Sequence, residues 1–591
     1  MDVKKTTQTL GDSVKRTAGR VGNQAKKKAM VVGISKVMAK RGRGVLRNLD
    51  NNSKKAIEIS EKLLFKLLDE NKGTEYGRKY DFANIHSIAE YKEKVPFTTY
   101  DDYEPYIRRM VEKGETNLIT AREPKHYALS SGSVGVPKHI PVSQEELDIY
   151  SKYGTAMALG VADEYFHNTT SKSAPSGKAI NAIELKMMET DYGVPKGAIS
   201  ATLMRPLKDI IPYFSTAPWS VVCPEGDMDM KYLKARMALA EKNVAFMDAA
   251  FMTALVDIMD YIKENHEMLC DDIELGIINE DVNVNEVTRE ALKEYIQPDK
   301  KRADELRKEF AKGFDTPIIP RIWPKLVWIG GIGTGGFFTY SKKMRKYAGK
   351  NIPFNNLCYA ASESFIAVAR HFGDESYVLV PEGGFYEFIP MKEGKGETDE
   401  TLTIDELEVG EDYEIIVTNI SGFYRYRIKD VIRVTGFYNE SPLIQFAYRM
   451  NQMLSIQGEK TNEEAVRWTM EQFIKETGLQ INDYSVYANT DTEPGHYTFL
   501  LEPDHIIPKE DIPKLRDLLD AKMGQANPSY GDKVRTGILG PMELVLVQQQ
   551  TYQLYRDLMI MKGTSANQLK PVRIIDTPMK EKFFFGLKED Y

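Results

Sequence analysis

Three serines, two glycines and a lysine stand close together in Ser130-Ser131-Gly132-Ser133-Val134-Gly135-Val136-Pro137-Lys138. Small residues let backbone N–H groups approach a polyphosphate, while hydroxyls and an ammonium add donors and positive charge. The preceding Tyr127-Ala128-Leu129 reads as the end of a strand. The Walker pattern G-x-x-x-x-G-K-[ST] is not met, and a serine- and glycine-rich surface turn has the same composition. A second segment, Gly331-Ile332-Gly333-Thr334-Gly335-Gly336, spells G-x-G-x-x-G after an apolar strand. A dinucleotide site wants a helix next and an acid about 20 residues on. Here Phe337-Phe338-Thr339-Tyr340 follows, and the first downstream acid is Glu363. The segment therefore reads as a loop packed against a nucleotide through Gly333 and Thr334, or as a plain turn.

Two carboxylates and a C-terminal lysine follow in order. Tyr359-Ala360-Ala361-Ser362-Glu363 closes a strand and loop on one carboxylate. Gly422-Phe423-Tyr424-Arg425-Tyr426-Arg427-Ile428-Lys429-Asp430-Val431 places Asp430 just after an alternating strand. Gly563-Thr564-Ser565-Ala566-Asn567-Gln568-Leu569-Lys570-Pro571-Val572-Arg573 lies near the C-terminus. With the serine loop, these segments resemble the acyl-acid amido synthetases first known from auxin-responsive plant genes, a family of the adenylate-forming superfamily that includes firefly luciferase. The family wordings are similar to SSGTSxGxxK, YASSE and GLYRYRxGD. This chain departs from them at Ser133 (for Thr), Ala361 (for Ser), Phe423 (for Leu) and Lys429 (for Gly), and its serine loop is one residue shorter. The resemblance runs from about Lys55 to Arg573, with further matches at Trp323-Pro324 and Asn451 to Glu463.

The resemblance implies a reaction and a set of roles. A carboxylate is a poor electrophile, and joining it to the α-phosphate of ATP creates a mixed anhydride with AMP as leaving group. Two anions must meet, so cations and N–H donors must screen them. Ser130, Ser131, Gly132, Ser133 and Lys138 would line the polyphosphate loop. Glu363, beside Ser362, would help hold Mg²⁺, which takes few carboxylates plus phosphate oxygens and water; a solvated loop acid is the plainer reading. Asp430 would accept both ribose hydroxyls, because a carboxylate offers one oxygen to each O–H of a diol; it could instead pair with Arg425 or Arg427. Tyr359 would stack near adenine. Lys460, in Gln457-Gly458-Glu459-Lys460-Thr461, would reach the α-phosphate. Lys570 would be the lysine that a mobile C-terminal domain carries in for adenylation, and Arg449 would stand at the hinge. The implied product is an amide, with an amino acid as acceptor. The rivals are a thioester-forming ligase using coenzyme A, and a non-catalytic nucleotide-binding protein.

Other chemistries find little support. The eight histidines show no HxxxH spacing, no G-x-S-x-G frames a serine, and Cys223, Cys270 and Cys358 form no CxxC. Three scattered cysteines, with no signal-peptide pattern and no apolar run long enough to span a membrane, lead to the expectation of a cytoplasmic enzyme.

The elements that must position these groups alternate strand and helix, which suggests an α/β body. Asn48 to Asn71 reads as the first helix, with Ile57, Leu63, Leu64, Leu67 and Leu68 at helical spacing. Residues 100–113 and 228–265 also read as helical. Short β-rich runs lie at Leu326–Ile329, Ser376–Val380, Glu414–Thr418 and Ile428–Thr435. After about residue 445 a small α+β texture begins, with helices near 462–477 and 510–523 and strands near 484–489, 497–502 and 542–547. The expected organisation is a basic leader at 1–47, a large adenylate-forming domain at 48–447 with β-sheets flanked by helices, and a small mobile α+β domain at 448–591. An acyl pocket is expected between the 145–160 helix and residues 200–255.

Charge separates the leader from the body. Residues 1–48 carry thirteen Lys or Arg against two Asp, a net +11, so with −7 overall the remainder stands at −18. The acidic body argues against nucleic acid as the main partner. The leader could make weak contact with an anionic membrane, or stay solvated.

Overall fold

The computed structural model describes residues 23–130, 138–170, 177–391, 400–450, 453–562, 564 and 569–589. The chain divides into two compact units. Unit 1 holds the described residues up to Ile332, then Lys343–Ile428 and Arg433–Gln445. Unit 2 holds Gly333–Lys342, Lys429–Ile432 and the described residues from Phe446 onward. No described helix is long and apolar enough to cross a membrane.

Among the described residues, unit 1 contributes strands to three sheets. The first runs Lys138–Val142, His126–Ser130, Pro195–Gly197, Met187–Glu189. The second is parallel throughout, in the order Lys178–Asn181, Val244–Phe251, Trp328–Ile332, Phe354–Asn355. Its register sets Asn181, Asp248, Gly330 and Asn355 side by side across the four strands. The third is a seven-stranded sheet that includes Cys358–Ala360, Phe365–Val368, Asp412–Asn419 and Tyr426–Tyr438.

The helical reading of 228–265 needs correction. The structure has a helix at Met230–Ala240, a strand at Val244–Phe251 and a second helix at Met252–Leu275. The run Val244-Ala245-Phe246-Met247 is apolar throughout because the strand is sandwiched inside a parallel sheet. Such a run lacks the alternation that marks a half-exposed strand, so its period alone does not separate it from a buried helix.

The first described helix also begins earlier than the periodicity suggests. It spans Asn23–Asn52, across the expected 47/48 boundary, and a short 3₁₀ turn at Ser53–Lys55 separates it from Ala56–Asn71. Residues 1–22 of the leader lie outside the described residues. Val45, Leu46 and Leu49 are buried against Tyr153, Met157, Val161, Phe365 and Val368. Asp50 pairs with Arg370 at 2.7 Å, and Arg41 donates to the Ser151 hydroxyl at 3.1 Å. The last turns of the basic helix are therefore part of the core of unit 1.

Unit 2 is an α+β body. Its sheet runs Glu543–Leu546, His496–Pro503, Ile481–Asn489, Ile574–Ile575. Helices Glu463–Thr477 and Ile512–Ala526 cover it, burying Val466, Met470, Phe473, Leu519 and Met523 against Tyr484, Val486 and Phe499.

The helix Asn23–Asn52 crosses Met157–Thr170 at two glycines. A Cβ on Gly42 would stand 2.4 Å from the Ala156 carbonyl oxygen and 2.5 Å from the Gly160 Cα. Forcing a side chain into so tight a contact costs about 1–3 kcal/mol. Gly42→Leu is therefore expected to lower the thermal unfolding midpoint. An unchanged midpoint would mean that this helix does not dock through Gly42.

Candidate functional site

The strands on either side of the serine loop form an antiparallel pair. His126–Ser130 and Lys138–Val142 pair antiparallel with Ser130 opposite Lys138. Ser131, Gly132 and Ser133 lie outside the described residues. The Lys138 ammonium stands 5.1 Å from the centre of the Tyr100 ring, and the Tyr100 hydroxyl accepts the His139 N–H at 2.9 Å. The lysine at the foot of the hairpin thus has an aromatic face beside it.

The strand leaving the hairpin runs into helix Gln144–Ser151, capped by Ser143, whose hydroxyl accepts the Glu146 N–H. Glu146 and Tyr150 are one turn apart and so share a face. The Tyr150 hydroxyl donates to the Ala361 carbonyl. Ala361 opens a tight turn, closed by its N–H to the Ser364 carbonyl at 2.9 Å, between strands Cys358–Ala360 and Phe365–Val368. Tyr359, Ser362 and Glu363 are each half-buried on this strand and turn. The Glu363 carboxylate lies 3.4 Å from the Tyr426 hydroxyl, and its backbone carbonyl accepts from Asn419 Nδ2 at 2.6 Å. Burial and the nearby Glu363 charge both push the Tyr426 phenol well above its ordinary range, so it stays a donor. Within unit 1, then, the helix after the serine hairpin is bonded to the turn that carries Glu363.

The aromatic and basic residues of Gly422–Arg427 are mostly structural. Tyr424 and Tyr426 are buried, and Phe423 stacks on Tyr426 at 4.8 Å. Arg425 reaches both oxygens of Glu387 at 3.1 and 3.0 Å, and Arg427 both oxygens of Glu414 at 2.9 and 2.6 Å.

Asp430 belongs to unit 2, where it is 2% exposed and accepts from Arg449 Nε at 2.6 Å. The cluster around it centres on Glu463. Burial raises the Glu463 carboxyl above the usual range, opposed by Arg573, Lys570, Arg449 and Arg467. Asp430, through Arg449, and Lys570 therefore belong to one charged group. Lys570 is exposed, three residues from the fully buried Arg573. The Arg573 guanidinium pairs with Asp483 at 2.5 Å and donates to the Gly336 carbonyl at 2.9 Å. It thereby ties the Lys570 segment to the glycine-rich loop. In that loop Gly333 is buried, its carbonyl accepting from Ser341 at 2.7 Å, and Thr334 is exposed. A 3₁₀ turn and a helix, Phe338–Ala348, do follow this loop, which the aromatic run Phe337-Phe338 did not suggest. Lys460 is exposed on a turn beside buried Glu459, whose carboxylate accepts the Ile456 and Gln457 N–H groups at 2.7 and 2.8 Å.

Two acids that sequence reasoning passed over are singled out by burial. Glu146 is 2% exposed; its Oε2 accepts from the Ser421 hydroxyl, while its Oε1 has no hydrogen-bond partner. Burial, opposed by the Ser421 bond and reinforced by Glu363, pushes its carboxyl up to about 8. Asp248 is half-buried as a residue, but its Oδ1 is shut away from solvent without a partner, and burial pushes the group up to about 7. The only sequence signal for Asp248 was a lone acid inside the apolar run Val244–Phe251. No group of three or more His, Cys, Asp or Glu that could hold a metal occurs among the described residues. That excludes an all-protein cage there, but a magnesium site needs only one or two carboxylates beside phosphate oxygens.

Residues 45–354 match the GH3 family N-terminal domain, 377–449 the GH3 family central domain and 463–579 the GH3 family C-terminal domain. The chain belongs to the GH3 family. Indole-3-acetic acid-amido synthetase GH3.8 of Oryza sativa subsp. indica is 30% identical, covering 90% of this chain and 90% of that protein. Probable indole-3-acetic acid-amido synthetase GH3.11 of Oryza sativa subsp. japonica is 28% identical, covering 92% and 95%. Jasmonoyl--L-amino acid synthetase GH3.5 of Oryza sativa subsp. japonica is 27% identical, covering 88% and 92%. A solved GH3.15 acyl acid amido synthetase superposes with a TM-score of 0.79 at 23% identity, covering 92% of this chain and 95% of that one, and shares the fold.

One departure from the GH3 wording has a conformational cost. Lys429, where the family pattern has glycine, adopts φ +64° immediately before Asp430. A non-glycine residue in the left-handed region is strained by roughly 1–2 kcal/mol. Glycine relieves this but adds about 0.5–1 kcal/mol of unfolded-chain entropy. Lys429→Gly is therefore expected to stabilise the GH3 fold by up to about 1 kcal/mol, read from chemical denaturation; clear destabilisation would contradict the strain.

Asp248 makes stability depend on pH. Its unfolded pKa is near 3.9, so between about pH 4 and 7 the unfolded chain has lost a proton that the native chain keeps. Stability contributed by the raised group is whole below the unfolded pKa and is lost as pH rises towards about 7. The slope reaches at most about 1.4 kcal/mol per pH unit. Asp248→Asn should flatten the fall in denaturation midpoint between pH 5 and 7, and an unaltered profile would show that Asp248 titrates normally.

Proposed function

We propose that this GH3 protein activates a carboxylic acid with ATP and Mg²⁺ and passes the acyl group to an amine, an amino acid in the reading favoured here. The observation that carries the proposal is the match of three successive GH3 domains over residues 45–579, with Lys138, Glu363, Asp430 and Lys570 present in their motifs. The names of its relatives, indole-3-acetic acid-amido and jasmonoyl-amino acid synthetases, support a small acyl acid and an amino acid as the two substrates.

In the first half-reaction a carboxylate oxygen attacks the α-phosphorus of ATP, a new P–O bond forms, and pyrophosphate leaves. Two anions approach each other, so cationic groups must offset their repulsion. Lys138 and the serine hairpin, through Ser130, Ser131, Gly132 and Ser133, would hold the phosphates. Glu363, with Ser362 beside it, would hold Mg²⁺, which supplies charge neutralisation at the phosphate oxygens when bound. Tyr359, Gly333 and Thr334 would flank the nucleoside, and Asp430, oriented by Arg449, would take the ribose hydroxyls. Lys460 and Lys570 would meet charge developing around the α-phosphate, a task suited to an ammonium on a flexible stem. In the second half-reaction the neutral amine attacks the acyl carbonyl, AMP leaves with the C–O bond electrons, and the amine proton is lost.

Acid-dependent exchange of labelled pyrophosphate into ATP tests the first half-reaction. Lys570→Ala and Asp430→Asn should each reduce exchange on the order of 10²–10³-fold, with melting curves showing folded protein. Exchange close to wild type in both folded variants would refute the assignments. Mass analysis of products formed with amino acids or with coenzyme A separates amide from thioester synthesis.

A further inference from the structure

Glu146 has no part in the reading above, yet its surroundings are unusual. It lies on the face of helix Gln144–Ser151 that Tyr150 bonds to the Ala361 carbonyl, two residues before Glu363. The Glu363 charge is felt at both Glu146 and Tyr150. A chain of hydrogen bonds also links the Glu146 carboxylate to the Glu363 backbone: the Ser421 hydroxyl donates to Glu146 Oε2, the Ser421 N–H donates to Asn419 Oδ1 at 3.0 Å, and Asn419 Nδ2 donates to the Glu363 backbone carbonyl at 2.6 Å. The remaining oxygen, Oε1, is buried without a partner. The cation whose field reaches it, Arg122, is already bonded to Glu70 and to the Ile420 carbonyl.

The Glu363 charge opposes that of buried Glu146, and a buried carboxylate oxygen with no donor is costly. A hard divalent cation relieves both, since magnesium prefers oxygen ligands and takes one or two carboxylates with phosphate and water. We propose that Glu146 is a second carboxylate for the divalent cation at Glu363, its unpartnered Oε1 supplying an oxygen to the ion or to a water of its shell. The inference rests on the acid-activating reading for the presence of a metal–nucleotide complex, and goes beyond it in adding a ligand. Glu146 follows the serine hairpin directly, so it would couple the hairpin's position to the metal.

The test uses the full chain and Mn²⁺, titrated by electron paramagnetic resonance with and without α,β-methylene-ATP. Glu146→Gln preserves shape and removes the charge; Glu363→Gln is the positive comparison. Glu145→Gln, on the exposed neighbour, controls for charge alone. The expected result is a tenfold or greater loss of Mn²⁺ affinity in Glu146→Gln and Glu363→Gln, none in Glu145→Gln, and unchanged nucleotide affinity in EDTA. Should Glu146→Gln fold poorly, Glu146→Asp, which keeps the charge on a shorter stem, should lose several-fold. Mn²⁺ affinity within twofold of wild type in a folded Glu146 variant overturns the proposal, as does equal weakening of metal-free nucleotide binding. If wild type performs acid-dependent pyrophosphate exchange and Glu146→Gln binds Mn²⁺ normally, the ligand assignment alone fails. If exchange is absent but Mn²⁺ binding requires Glu146, the cation site stands and the reaction falls.

Discussion

A carboxylate taken out of water must be given a cation or hydrogen-bond donors, and this constraint organises both units. Glu387 has Arg425, Glu414 has Arg427, Asp430 has Arg449 and Asp483 has Arg573. Two of these pairs draw their arginine, and a third its acid, from Arg425–Asp430. That segment reads as one functional motif, but the structure divides its labour. The arginines neutralise buried acids in unit 1, and the aspartate is left to a separate partner in unit 2. Removing either member of such a pair strands a buried charge.

The same constraint explains how site residues are held. In unit 1 the Glu363 turn is held by bonds from Tyr150, Asn419 and Tyr426. In unit 2 the buried Arg573 is bonded to Asp483, to the Tyr484 carbonyl and to the glycine-rich loop, with the Tyr484 ring 4.1 Å from its guanidinium carbon. Lys570, exposed and three residues away, inherits a firm base and keeps a flexible stem. A long cationic side chain placed shortly before a rigid anchor suits a group that must meet charge as it develops.

Some of the backbone strain falls where the chain turns into these residues. Arg425, Lys429 and Lys460 all have positive φ without being glycine. Such conformations persist where surrounding contacts over-determine them. Arg425 is held by Glu387 and by the Lys92 and Val95 carbonyls, so its conformation is fixed by its own side chain. At Lys460 the neighbour does the holding, since Glu459 folds back onto two backbone N–H groups.

Much of the architecture was legible from local pattern. The helix at Tyr100–Lys113 falls where its residues suggest, closed by a capping box between Thr99 and Asp102 and by Gly114 at φ +65°. The strands at 412–419 and 426–438 and the elements of unit 2 lie within a few residues of their expected places. Amphipathic periodicity, caps and turn glycines carry that information because they are written within a few residues of one another. The motif order likewise named the family, since residue type and spacing suffice for it. What sequence alone left open depended on distant partners. The strand Val244–Phe251 is a strand because two others flank it; the basic helix is partly core because Gly160 lies opposite Gly42. Asp430 accepts from Arg449, while Arg425 and Arg427 reach Glu387 and Glu414. Glu146 and Asp248 became conspicuous only once burial and the absence of a partner could be seen. Residue types determined which chemistry was available, and the tertiary structure decided which groups were neutralised and which were left to act, because the energy of a charge depends on what surrounds it rather than on its neighbours along the chain.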